Sequence, residues 1–303
     1  MLRVELLPLF CGIAALFISL VPSFDQNTRT RLSLVFQISW LGLIVFLRFE
    51  HLLSNIQLCL LLVQTLVLIG IPFQPVFWLL SGLSTAAILS TNLSIFLIFA
   101  YLHITFLLLV ILQTGGLYKG SASYQSILFF LSLDLSAFFA LSLSHEWAYW
   151  ILILPGLARV LFLLTAPFAR SLFVNCPTDI MLLMLGGSVP VGIAWLLLLS
   201  RVCPEIEFLE TVCLGSCLFA VALFLIEKSR RQKAIYLLMS QTALCVNLIL
   251  GSESIKYQLF GSLLCLSALL NSAIWIYFLE FPKVRVFNIA VAAFTLFLLV
   301  YKP

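Results

Sequence analysis

Three side chains in this 303-residue chain have the chemistry to hold or move charge inside an apolar interior. Asp134 sits in Phe-Leu-Ser-Leu-Asp-Leu-Ser, Arg159 in Gly-Leu-Ala-Arg-Val-Leu, and His103 in Ala-Tyr-Leu-His-Ile-Thr. Each falls within a long apolar run. Placing an Asp or Arg at the centre of a membrane helix costs about 2.5–3.5 kcal/mol, so such residues pair or serve a function. Asp134 stands about eleven residues before the turn near His145, and Arg159 about twelve after Trp147. Adjacent antiparallel helices would bring the two to one depth, so an ion pair is expected. Two roles fit it: tuning ion or proton passage, or fixing helix register. Arginine keeps its proton near neutral pH and is no proton donor there. An imidazole such as His103 either relays protons or bonds a neighbouring helix as a neutral ring. His51 and His145 fall at loops.

A second set of residues lies between positions 166 and 241. It reads Pro167-Phe168, Pro177-Thr178-Asp179, Arg201 with Pro204, the loop Glu227-Lys228-Ser229-Arg230-Arg231, then Tyr236 and Ser240-Gln241. Within it, Gly186-Gly187-Ser188-Val189-Pro190 interrupts an apolar run. Proline removes a helix hydrogen bond and glycine loosens the backbone. Either the helix breaks and lines a site, or it kinks and packs closely through small residues. Pro155-Gly156 makes a similar weak spot just before Arg159.

Other chemistry is poorly supplied. The eight cysteines are scattered, and only Cys213 and Cys217 share a helix face, at i,i+4. Without a CxxC or a Cys/His cluster, no metal and no cofactor is expected, and the cysteines read as small packing residues. Glu205, Glu207 and Glu210 form the one acidic cluster, with Arg201 as its only basic neighbour. A membrane-embedded transferase of lipid-linked substrates would need more there, so the chain is not expected to be catalytic itself.

The elements that position these residues follow from composition. Hydrophobic residues make up 63% of the chain and charged residues 9%, with mean hydropathy +1.19. A water-soluble domain of this composition would expose large apolar patches. In lipid the backbone must satisfy itself, which leaves helices or a closed barrel. The apolar runs are continuous, without the two-residue alternation of barrel strands. A span needs about 20 apolar residues. Roughly twelve segments qualify: 6–23, 31–47, 54–71, 75–90, 92–113, 124–143, 147–166, 178–200, 208–226, 233–250, 257–279 and 286–301. The breaks at 71–75 and 90–92 are soft. The sequence therefore predicts an all-α, polytopic membrane protein of about 10–12 transmembrane helices, with residues 1–303 as one transmembrane domain.

Loop charges set the orientation. Arg29, Arg31, Lys119, Arg170, the 228–233 cluster, Lys283 and Arg285 share one side under this parse. Arg3, Arg48, Arg201, Lys256 and Lys302 share the other. The richer side is expected in the cytoplasm and the N-terminus outside. Glu5 and the missing small-x-small site argue for a retained first helix rather than a cleaved signal. Arg230-Arg231 suits a headgroup anchor, and Trp147 and Trp150 suit an interfacial belt. The net charge of +4 reflects this loop bias. No basic face interleaved with aromatics points to nucleic acid.

The landmarks of 155–280 resemble, in eroded form, the proton-antiporter-like subunits of respiratory complex I, related hydrogenases and multi-subunit cation/proton antiporters. In that family a lysine precedes Pro-Phe-His. A Pro-Thr-Pro then opens a histidine-bearing helix that closes near Arg-x-x-Pro. An Asp-x-Lys-Arg loop and a Tyr-Ser-Thr-x-Ser-Gln helix follow. Here Ala169 replaces the histidine after Pro-Phe, and Asp179 replaces the second proline. By spacing, Leu185 holds the place of the relay histidine, Phe162 that of the lysine, and Asn271 that of the later lysine. Arg159 lies one helical turn further from the proline than the family's lysine. Asp134 lies too few helices upstream to match the family's acid.

The resemblance implies an antiporter-like helix bundle in a bacterial-type inner or plasma membrane. Its partners would be the lipid bilayer and the other membrane subunits of a complex, one resembling an NADH:quinone oxidoreductase. Because leucine and phenylalanine cannot carry protons, it implies an accessory member with a degenerate proton path. Asp134, Arg159 and His103 would be the groups of any surviving path, with Ser240 and Gln241 as polar supports. The alternative is a self-contained secondary transporter of small metabolites, with about ten helices. Residues 1–150 and 151–303 show no clear repeat of the kind such carriers often have.

Overall fold

The computed structural model describes residues 13–14, 26–49, 54–69, 75–114, 121–143, 146–160, 178–202 and 207–250. Every regular element among them is helical. In chain order these are α1 (Gln26–Phe49), α2 (Asn55–Ile69), α3 (Pro75–Leu89), α4 (Leu93–Thr114), α5 (Ser121–Leu141) and α6 (Glu146–Arg159). There follow α7 (Thr178–Leu183), a π-turn (Met184–Ser188), α8 (Val189–Val202), α9 (Glu207–Ile226) and α10 (Arg230–Leu250). The expected segments at 257–279 and 286–301 lie outside the described residues, as does nearly all of 6–23. The full span count and the orientation rest on those segments.

Local chemistry explains the boundaries. Ser54 opens α2 with a capping box: its Oγ accepts the Gln57 N–H at 3.2 Å, and Gln57 Oε1 accepts the Ser54 N–H at 3.1 Å. Two orphan donors of the first turn are thereby satisfied. Pro75 is the first residue of α3, where a missing N–H does no harm. The soft break at 90–92 is a true one. Ser90 to Asn92 leave the helix, and Asn92 Oδ1 accepts the N–H groups of Ser94 (2.9 Å) and Ile95 (3.3 Å) to cap α4. Between α9 and α10, the Glu227 carboxylate accepts the N–H groups of Lys228 and Ser229. The negative charge thus sits at the start of α10, where the helix dipole favours it.

The run 178–202 is the axis of the bundle. It packs against α2, α3, α4, α6 and α10. Its side chains from Ile180 to Leu196 are almost all buried. The helix does not end at Gly186–Pro190. Instead the helix widens for one turn, with the Val189 N–H bonded back to Met184 O, five residues away. The helix then continues through Pro190. Such a turn inserts one residue and shifts the helix face, a feature common at functional positions. Pro155 is likewise carried inside α6 without ending it.

α6 and α8 cross at unusually short range. A Cβ on Gly192 would lie 2.6 Å from Arg159 Cβ and 3.0 Å from Gly156 O. One on Gly156 would lie 2.7 Å from Trp195 Cδ1. Only glycine fits either position, and the crossing is locked by Trp195 Nε1 donating to Leu152 O at 2.6 Å. Phe96 of α4 packs on the same indole, with centroids 5.0 Å apart. At the end of α6, the Val160 carbonyl lies 3.0 Å from Thr242 Oγ1 of α10, whose one hydroxyl hydrogen is shared between it and the α10 carbonyls of Leu238 (2.8 Å) and Met239 (3.2 Å).

Among the described residues, two helices, Leu93–Leu112 and Ile180–Leu199, are long and apolar enough to cross a bilayer by length and composition. The periphery is apolar as well. α1 exposes Val35, Ile38, Val45, Phe46 and Phe49, and α9 exposes Leu214, Leu218, Phe219, Val221, Leu225 and Ile226.

Candidate functional site

Asp134 and Arg159 meet. Both are buried, at 0% and 3% exposure, on the antiparallel pair α5 and α6, which pack together. The guanidinium engages both carboxylate oxygens. Arg159 Nη1 donates to Asp134 Oδ1 at 2.6 Å and Nη2 donates to Oδ2. Planar guanidinium and carboxylate match in this fork geometry, and the charge-assisted bonds are the strong kind. Nη1 also donates to Pro155 O at 3.3 Å, one turn back on the same helix. Arg159 Nε has no hydrogen-bond partner among the described residues.

His103 lies on α4 against the π-turn. A Cβ on Gly187 would fall 2.8 Å from His103 Nε2 and 3.6 Å from Ser84 Oγ. The ring and the hydroxyl therefore face bare backbone of the central helix. His103 Nδ1 and Ser188 Oγ, both buried, have no partner among the described residues.

Beyond Ser84 lies a polar cluster that the sequence reading missed. Gln64 of α2 donates from Nε2 to Ser81 O (2.7 Å), Ser81 Oγ (2.8 Å) and Ser84 Oγ (2.5 Å). Its Oε1 accepts the Thr85 hydroxyl at 2.8 Å. All four residues are buried. An amide nitrogen has two hydrogens, so three acceptors share two donors and the contacts can exchange. A signal was present: Ser81, Ser84 and Thr85 recur at helical spacing on one face, opposite a lone glutamine in a leucine run. Gln64, Ser84 and His103 meet the central helix at Gly187, and the Asp134–Arg159 pair meets the same helix at Gly192.

The proposed supports stand apart from these groups. Ser240 Oγ donates to Leu237 O within its own helix at 2.8 Å. Gln241 is half-buried, with its Oε1 buried and unpartnered among the described residues. No hydrogen bond or ion pair joins either to Asp134, Arg159 or His103 among the described residues. The hydroxyl of α10 that does reach the site's helix is Thr242. Cys213 is buried and Cys217 half-buried, and no cluster of metal-ligating side chains occurs among the described residues.

The family landmarks divide between described and undescribed positions. Phe162, Pro167, Phe168, Ala169, Pro177, Pro204 and Asn271 lie outside the described residues. Leu185 is fully buried inside the π-turn. Tyr236 is buried on α10. By architecture, the described residues form an all-helical bundle with a buried ion pair beside a π-interrupted central helix. No protein-family model and no curated protein matches the chain.

Proposed function

We propose that the chain is a polytopic integral membrane protein and a subunit of a proton- or cation-translocating assembly of the antiporter-like kind. The observation that carries this reading is the set of buried polar groups packed against the interrupted central helix. A stabilising core has little use for a full ion pair, an imidazole whose Nδ1 has no partner among the described residues and a shared amide network packed against one central helix. Replacing a buried ion pair by apolar side chains is often neutral or stabilising, whereas intramembrane ionisable groups mark ion paths. The apolar outer faces of α1 and α9 support lipid as the surrounding solvent: Leu218 and Ile226 are 73% and 78% exposed. Large side chains so exposed are unfavourable in water and suited to hydrocarbon.

The role is accessory. Leu185, in the place of the family's relay histidine, cannot carry a proton. His103 and the Asp134–Arg159 pair are the groups left to respond to ion movement. Gentle extraction followed by native mass measurement tests the assembly, and reconstitution into vesicles with an internal pH dye tests conduction. A larger complex, and ion-coupled activity lost in Asp134→Asn, are expected. A chain that migrates alone and an Asp134→Asn variant with wild-type flux would together refute the proposal. Substrate-driven flux by the lone chain would instead establish the metabolite carrier.

A further inference from the structure

The connection between α9 and α10 concentrates positive charge. Lys228, Arg230, Arg231 and Lys233 are a quarter of the chain's 16 basic residues, and 227–233 carries a net charge of +3. Folding does not call for them. Three stand in the first turn of α10, where the helix dipole disfavours cations. The connection is short: the Glu227 N–H bonds to Leu223 O and the Lys233 N–H to Ser229 O, both at 2.9 Å. Lys228 is exposed. Lys233 Nζ lies 5.5 Å from the centre of the Phe224 ring, a cation–π contact that holds charge against the end of α9. Next to this charge runs an apolar stripe. Leu214, Leu218, Val221 and Leu225 recur at helical spacing on one face of α9, and all are exposed. At 1.5 Å per residue the stripe is about 17 Å long. Half the hydrocarbon thickness of a bilayer is about 15 Å. The stripe thus matches the depth of one leaflet, with the basic connection at the level of its headgroups.

We infer that this face of α9, with the basic connection at its end, is a docking site for anionic phospholipid. The two parts select the occupant together. A free phosphate or a soluble acidic peptide would meet the cations and leave the leucines uncovered. A zwitterionic lipid would cover the leucines and leave the cations without net countercharge. A negatively charged headgroup joined to acyl chains satisfies both. Basic clusters beside a membrane helix attract such headgroups, which are abundant in the cytoplasmic leaflet. The side that carries this loop is the one whose charge bias is expected to face the cytoplasm. The inference rests on the membrane part of the proposed function and is independent of ion translocation.

Native mass spectrometry of the full chain in detergent, titrated with phosphatidylglycerol or with phosphatidylcholine of the same acyl chains, tests it. Several-fold tighter binding of phosphatidylglycerol is expected. Lys228→Gln/Arg230→Gln/Arg231→Gln/Lys233→Gln should bring the two lipids to parity. It should keep the wild-type unfolding temperature, because cations leave a helix N-terminus. Lys228→Gln alone, at an exposed position outside either helix, should already lower the preference. Arg29→Gln/Arg31→Gln, which removes charge from α1, should leave it unchanged. Glycerophosphoglycerol, the same headgroup without acyl chains, should not compete. Equal affinity of the wild-type chain for the two lipids, an equal loss in the α1 variant, or competition by the free headgroup would overturn the inference and leave the membrane reading intact. A chain that stays monodisperse in water without detergent would sink the membrane reading, and the docking site with it.

Discussion

Removing the charge from Asp134 should strand Arg159, and the size of the effect follows from the geometry. The guanidinium is 3% exposed and the carboxylate 0%, so water cannot replace the lost partner. The described residues offer Arg159 one other acceptor, the Pro155 carbonyl at 3.3 Å. Asp134→Asn keeps an oxygen that accepts one hydrogen bond but removes the negative charge. Breaking a buried pair by losing one partner costs about 3–5 kcal/mol. At about 1.4 kcal/mol per tenfold, that is a fall of two to nearly four orders of magnitude in the folded-to-unfolded ratio. The companion variant Arg159→Met should cost a similar amount, because it leaves an unpaired carboxylate. The double variant Asp134→Leu/Arg159→Met removes both charges. It should fall within about 1 kcal/mol of wild type or exceed it, as apolar replacements of buried pairs do. Reversible unfolding in mixed detergent micelles measures all three. With Asp134→Leu measured as the matching single variant, the cycle of Asp134→Leu, Arg159→Met and their double should show a coupling energy of about 3 kcal/mol or more, far above the additive expectation for independent sites. A double variant whose loss equals the sum of the single losses would refute the reasoning, since the two side chains would then not be acting on each other.

Other consequences are more local. Gly192→Ala should destabilise by about 1–3 kcal/mol through overpacking, because the new methyl meets Arg159 Cβ at 2.6 Å and backbone at 3.0 Å. Gly215→Ala, with nothing within 4 Å, should stabilise its helix by up to about 1 kcal/mol. Equal melting temperatures for the two would contradict the close crossing of α6 and α8. Gln64→Leu should cost about 1–3 kcal/mol by leaving the Thr85 hydroxyl and Ser81 groups unmatched; a rise in stability would show that the cluster is not held by the amide. Thr242→Val should cost about 1 kcal/mol through the lost bond to the Val160 carbonyl, with Thr242→Ser retaining most of it. Identical unfolding of the valine and serine variants would remove that bond from the account.

Much of the helical framework was legible in the chain. Runs of leucine and phenylalanine bounded by Ser54, Pro75, Asn92 and the 227–229 loop define helices by hydrophobic length and capping, which are properties of neighbouring residues. The meeting of Asp134 and Arg159 was legible for a related reason. Two helices joined by a short connection run antiparallel, so equal distances from the turn imply equal depth. The place of Leu185 was read as a lost relay position, and it sits in the one turn where the helix changes its hydrogen bonding. The same stretch could not reveal that turn. Glycine and proline license a break, a kink or a wide turn equally, and the choice falls to whatever packs against them.

What the sequence determined alone is chemistry that depends on near neighbours: an apolar helical chain, its helix ends, and one charged pair at matched depth. Tertiary structure decided everything that requires two distant segments to meet. It put His103 against Gly187, Ser84 beside that contact and Thr242 over the end of α6. It also drew Gln64 into a cluster and left Ser240 bonded within its own helix. Those outcomes depend on which faces of α2, α3, α4, α6 and α10 turn towards the central helix. That rotation is set by close packing at Gly156, Gly187 and Gly192, where the absence of a side chain matters only once the neighbour is in place.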